Sequence, residues 1–326
     1  MRPVGLLLLL ALLGGSTVVF NLRGQTSVAQ FHQIYNEIQH NLPTMDRLRT
    51  LVNNEEIDNP IPICFLVSIY GKWAGTVDKV FPVEKLPFYE SPYYNFFGFT
   101  NLPRWERPGW TRIVRNFPEF RRFITQSRWP KFQGWKDEQI QANCSVVFYM
   151  DSITEITGSS KQFQKLARQV VESDVGFAQY QHPGGGGAFA EFRRIAKVGK
   201  DRLSNIEASK EWLRNRSDFS PNCTLYENRY IAYSVNSTNF RKATDFFWDR
   251  YSKEVDSWRD QPLWCYVLEH FNLTPVPLEH RKLFRMTHRR MGKNKHKYGA
   301  DSEYGVEDRM KSIKNQLKRK KKQQKS

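Results

Sequence analysis

The sequence predicts an α/β domain, a mixed central sheet flanked by helices, on three observations. Apolar runs such as Ile61 to Tyr70 and Ser145 to Met150 have the length of buried strands, and they stop on Gly71 and Asp151. Segments of helical period separate such runs. Polar residues collect where the runs end, the edge at which an open α/β sheet keeps its ligand cleft.

The elements follow in chain order. Arg2 precedes an uncharged, Leu-rich run from Val4 to Phe20, which spans about 25 Å as a helix. It reads as the anchor of a type II single-pass membrane protein or, with small residues at Gly14 and Ser16, as a cleaved signal peptide. Residues 1–25 are therefore a targeting segment, and either reading delivers the rest of the chain to the secretory lumen. Residues 26–59 form a stem, whose apolar positions Val28, Phe31, Tyr35, Ile38, Leu42, Met45 and Val52 keep helical spacing past Pro43. The stem either self-associates as a homodimer contact or packs on the main domain. Residues 60–280 are that domain. Strands are expected from Ile61 to Gly71, Thr111 to Val114, Ser145 to Met150, Gly176 to Gln181 and Tyr226 to Val235. Helices are expected over Gln162 to Glu172, from Asn236 to Asn239 through Trp258, and over Asp260 to Phe271. Pro87, Pro92, Pro103 and Pro108 suggest a long aromatic loop from Phe88 to Trp110, with rings for a sugar platform or for the core.

Charge narrows the function classes. The formal net charge is +17, but residues 281–326 hold 17 Lys and Arg against 4 Asp and Glu, so +13 of it lies in that tail. The preceding 280 residues carry +4 and do not read as a nucleic-acid binder. The tail is expected to be disordered and to meet acidic glycans or lipids. Asn143, Asn215, Asn222, Asn236 and Asn272 each open a glycosylation sequon, in keeping with a luminal chain; Asn143 stands close to a buried strand. Cys64, Cys144, Cys223 and Cys265 lack zinc spacing and allow two disulfides in any of three connectivities.

Asp151, directly after an apolar strand, is the most informative single position. A carboxylate there coordinates a divalent cation or accepts hydrogen bonds from a ribose, and Glu155 is a candidate second ligand or a surface charge. The four glycines 184–187 lack the Lys and Ser or Thr of a phosphate-binding P-loop; they read as a flexible loop or as a lid.

Several short motifs occur in order: Tyr70 and Gly71; Phe99 and Thr100; Trp110 to Val114; Arg128 and Lys131; Asp151; His182 and Pro183 followed by Glu191; and Trp258, Arg259, Asp260 and Gln261. In these the chain resembles, from about Ile61 to Val276, the glycosyltransferase-like domain family that includes the plant turgor-regulation-defect and mucilage-related Golgi proteins. That family is a branch of the nucleotide-diphospho-sugar transferases with the GT-A fold. The resemblance implies a GT-A-like (Rossmann-like) domain in the Golgi lumen that moves a sugar from a nucleotide-sugar donor to a glycan or glycoprotein acceptor. It implies that Asp151, Lys131, Arg128, Tyr70 and Gly71 hold the nucleotide, with Mn2+ or Mg2+ on Asp151. It further implies that His182, Glu191, Asp260 and Gln261 surround the sugar and the acceptor, Asp260 as the catalytic or acceptor-orienting carboxylate. Each has a plainer reading: Asp260 as a helix cap, His182 as a turn closure, Glu191 as the partner of Arg193 or Arg194. The second Asp of an Asp-x-Asp motif is absent, since Ser152 and Ile153 follow Asp151. That absence favours the alternative of a non-catalytic carbohydrate-binding or scaffold protein.

Overall fold

The computed structural model describes residues 8–11, 17–20, 59–72 and 80–286. The chain divides into two units, Met1–Glu56 and Ile57–Ser326. In the first, Leu8–Ala11 (β1) pairs antiparallel with Thr17–Phe20 (β2). Among the described residues no helix is long and apolar enough to cross a membrane. The stem and the tail beyond Met286 lie outside the described residues.

The second unit is built on a seven-stranded sheet. Ile63–Ile69 (β3) pairs in parallel with Tyr94–Thr100 (β4) on one side and Val146–Met150 (β6) on the other. Thr111–Val114 (β5) extends the β4 edge, also in parallel. Beyond β6, Tyr226–Ser234 (β9) runs antiparallel to both β6 and Phe177–Gln181 (β8), and Val276–Pro277 (β10) closes the edge parallel to β8. Thr154–Ile156 (β7) forms a separate antiparallel pair with Phe284–Met286 (β11).

Both faces of the sheet are covered, so its central strands are apolar at nearly every position. One face, through Leu66, Phe99, Tyr149 and Tyr233, meets Phe123–Gln133 (α1), Glu138–Asn143 (α2), Gly187–Val198 (α4), Thr238–Tyr251 (α6) and Asp260–His270 (α7). Leu203–Arg214 (α5) adds Ile206 and Leu213 to the same core. The other face meets Ser160–Glu172 (α3) through Phe163, Leu166, Ala167 and Val170. There Phe65 stacks on Phe96 at 5.1 Å and takes Phe163 edge-on at 4.8 Å. Ser159 and Gln162 form a capping box at the start of α3, which fixes where this helix begins.

Three expectations change. The aromatic segment from Phe88 to Trp110 contains β4, and Phe88, Tyr94, Phe96, Trp105 and Trp110 are core residues. The helix begun at Thr238 stops at Tyr251, not Trp258, because Glu254 takes a left-handed backbone (φ 55°) and turns the chain toward α1. The segment from Arg281, expected to open the tail, includes His280–Leu283 (α8) and β11, with Leu283 and Phe284 buried. The cysteines pair as Cys64–Cys144 and Cys223–Cys265.

Candidate functional site

Strand order reverses next to β3: the chain runs from β3 through β4 to β5 on one side and then begins β6 on the other. The carboxyl ends of β3 and β6 therefore flank a topological switch point, where open α/β sheets bind ligands. Asp151 stands at the end of β6, and its backbone N–H donates to Arg229 O of β9 at 3.1 Å. Helix α1 lies across the sheet and sends Arg128 and Lys131 toward this edge, while α7 begins there with Asp260.

The four side chains form one ion-paired group. Lys131 Nζ is 3.6 Å from Asp151 Oδ1 and donates to Asp260 Oδ2 at 3.3 Å. Arg128 Nε is 2.9 Å from the same Asp260 oxygen. Lys131 also sits 4.9 Å over the Tyr149 ring, and Tyr149 Oη lies 3.5 Å from Asp151 Oδ1 and 2.9 Å from Ser68 Oγ. The Lys131 and Asp260 side chains are only 2% and 4% exposed, whereas that of Asp151 is 35% exposed, so the group opens to solvent at Asp151.

Electrostatics within the group differ from residue to residue. Burial by itself would raise the Asp260 carboxyl, but Lys131, Arg128 and Arg259 overcome it and hold the group far below the usual carboxylate range. Burial and neighbouring Arg128 lower Lys131, against the pull of Asp260 and Asp151. Asp260 is the first residue of its helix, after the N-cap Arg259, and its Oδ2 faces both cations.

Arg229 is a member that sequence reasoning missed. The register between β8 and β9 slips: Gln179 faces Ile231 while the next residue, Tyr180, faces Glu227, leaving Asn228, Arg229 and Tyr230 as extra residues of β9. Such bulges re-aim side chains beside functional sites. Here Arg229 Nε comes within 3.8 Å of Asp151 Oδ2, and Asn228 accepts from buried Gln179 at 3.0 Å. Gln179 in turn accepts from Trp264 Nε1 at 2.7 Å. A charged residue inside an apolar strand run was the available signal.

His182 follows β8 and faces Glu227 of β9, with Nε2 3.3 Å from Oε1. Its Nδ1 accepts the backbone N–H of Gly184 at 3.0 Å, so the proton of the neutral ring is on Nε2 and points at Glu227. The bond from Gly184 fits the turn reading of His182. Gln261 reaches the same neighbourhood, donating to Tyr226 O at 3.4 Å and accepting from Arg259 Nη2 at 3.1 Å. The glycines lead into α4 with left-handed backbone at Gly185, Gly186 and Gly187; a Cβ on Gly187 would lie 2.0 Å from Pro221 O.

The remaining three expected site residues have their partners elsewhere. Tyr70 packs on Phe117 at 6.1 Å, near Arg115 and Asp137, and burial raises its hydroxyl. Gly71 is clamped by Asn101, which accepts its N–H at 3.0 Å and donates to its carbonyl at 2.9 Å. Glu191 pairs with Arg194 one turn along α4, at 3.4 Å.

A divalent metal needs several hard oxygen ligands. Both Asp151 oxygens face cations, Asp260 is taken by Lys131 and Arg128, and Glu155 pairs with Arg285 at 2.6 Å. Among the described residues no group of three His, Cys, Asp or Glu is arranged to hold a metal. In this arrangement each of these carboxylates is already paired with a side-chain cation.

Compared with known proteins, the chain matches no family model and no curated protein.

Proposed function

We propose that this chain is a glycosyltransferase of GT-A-like architecture, transferring a sugar from a nucleotide-sugar donor to a glycan or glycoprotein acceptor. The observation that carries the reading is the meeting of Arg128, Lys131, Asp151 and Asp260 from α1, β6 and α7 at the switch point of the sheet. The single reversed strand β9 and the small β7–β11 sheet beside Asp151 are consistent with a GT-A-like domain.

In the transfer the acceptor oxygen bonds to the anomeric carbon while the bond from that carbon to the phosphate oxygen breaks. The electron pair leaves with the nucleoside diphosphate, and Arg128, Lys131 and Arg229 offset its growing negative charge. The acceptor proton goes to a carboxylate. Asp260 is suited to anchoring the cations; its low pKa and burial make it a poor proton acceptor. Glu227, 23% exposed at its side chain and oriented by the Nε2–H of His182, is the better base.

The setting is proposed as the Golgi lumen, by a type II anchor or, after cleavage, by secretion. All four cysteines are paired, as an oxidising compartment permits, and Asn143, Asn215, Asn222, Asn236 and Asn272 are all exposed. The testing experiment incubates the purified chain with a panel of nucleotide sugars and neutral oligosaccharides and measures nucleoside diphosphate release. Glu227→Gln is expected to lower turnover at least about a hundredfold with donor affinity unchanged. Donor binding without release in the unmodified chain would favour the non-catalytic carbohydrate-binding reading. Absence of binding across the panel would end the transferase reading.

A further inference from the structure

We infer that the site takes the diphosphate of its nucleotide ligand without a divalent metal, its own side-chain cations doing that work. The inference rests on the donor-binding reading above and specifies what holds the donor. Three cations gather at the edge: Lys131 and Arg229 on Asp151, and Lys131 and Arg128 on Asp260. Against these stand two carboxylates, so the set carries an excess of one formal positive charge before any ligand arrives. A dication entering at Asp151 would meet Lys131 Nζ and Arg229 Nε, which lie 3.6 and 3.8 Å from the very oxygens it would need. A diphosphate meets the opposite situation: its anionic oxygens complement the excess charge and accept from guanidinium and ammonium donors.

Accessibility agrees with charge. Asp151 and Arg229 are 35% and 32% exposed at their side chains, while Lys131 and Asp260 behind them are buried. The buried pair forms a fixed floor, and the bulge in β9 brings Arg229 to the open side. Asp151 then keeps Lys131 and Arg229 apart and aligned; it is a positioning residue for the cations and not a metal ligand.

The test is calorimetric titration of the full chain with UDP and GDP, once in excess chelator and once in excess manganese. The expected result is a dissociation constant that agrees within about threefold between the two conditions for whichever nucleotide binds. In chelator, Arg229→Gln and Lys131→Met are each expected to weaken binding at least tenfold; the partly exposed Arg229 variant keeps the test decisive where the buried one fails to fold. Inorganic pyrophosphate, which has no ribose, is expected to bind Asp151→Asn severalfold tighter, since a competing negative charge is removed. Binding that needs manganese, or that Asp151→Asn loses in manganese, would overturn the metal-free site while leaving the transferase reading intact. No nucleotide binding in either condition would remove both.

Discussion

Asp260 shows how one carboxylate serves two cations. With its side chain 4% exposed, it neutralises Lys131 and Arg128 where water does not. Asp260→Asn keeps the shape but leaves the cations uncompensated in a buried place, and about 3–5 kcal/mol of stability is expected to be lost. For a domain of this size that is a fall in melting temperature of roughly 10 °C. The pH dependence has a definite sign. A carboxyl held low in the folded state contributes fully above its unfolded value, near 4 by roughly the usual peptide figure, and loses that contribution as pH falls through the folded value. The gap in melting temperature between the unmodified protein and Asp260→Asn should therefore narrow as the pH is taken below about 4. A gap that widens on acidification would show that the Asp260 carboxyl is not held low.

At the scale of elements, α1 owes its position to a residue far away in sequence. Its N-cap, Arg122, makes no side-chain cap, and the backbone N–H groups that lead into the helix go to Glu254: Oε1 accepts from Arg122 N at 2.9 Å and Oε2 from Arg121 N at 3.1 Å. The guanidinium of Arg122 returns the contact, donating to Glu254 O at 2.6 Å and Asp256 O at 3.1 Å. Asp201 secures the rest of that segment, accepting from Ser257 Oγ at 2.6 Å and Trp258 N at 2.9 Å. The helix that carries Arg128 and Lys131 is thus tied to the segment that leads into Arg259, Asp260 and Gln261. Glu254→Ala removes the cap and leaves a left-handed backbone without its anchoring contacts, for an expected loss of about 1–2 kcal/mol. Nucleotide affinity, read by titration, should fall with it, whereas Val255→Ala, at a residue 51% exposed, should change neither. Equal affinity in both variants would mean that α1 holds its place without Glu254.

For the whole molecule, the two disulfides close long loops. Cys64–Cys144 joins the start of β3 to the end of α2 across 80 residues, and Cys223–Cys265 joins the approach to β9 to α7 across 42. Loops of these lengths stabilise by about 4 kcal/mol each through the entropy of the unfolded chain. The Cys223–Cys265 bridge also pins α7, which begins with the two predicted site residues Asp260 and Gln261. Adding reductant during thermal melting should lower the transition markedly, and the Cys223→Ser, Cys265→Ser double variant should reproduce part of that drop with nucleotide affinity reduced. An unchanged melting curve under reductant would show that the bridges add little to the fold.

The strands were legible because each carries its signal locally. Val146–Met150 is an apolar run of strand length and Tyr226–Ser234 ends in one of aromatic and β-branched residues, and Asp151 stood out because a charge directly follows such a run. Helix α1 was not legible: Pro130 lies within it, and polar Gln126, Lys131 and Gln133 are buried, so helical periodicity fails. β4 was hidden by the prolines on either side of it. The sequence by itself determined the layered α/β class and most strand ends, and it singled out Asp151 as a charge directly after an apolar run, since residue type and position in a run suffice for these; Arg128, Lys131 and Asp260 were picked out only by the resemblance. Only the tertiary structure decided which residues meet: Arg229 through a bulge, Glu227 opposite His182, Glu191 turned to Arg194, and the cysteine pairing. Those contacts join residues distant in sequence or re-aimed by a register slip, and the energy that fixes them comes from packing and charge in three dimensions, which local pattern does not encode.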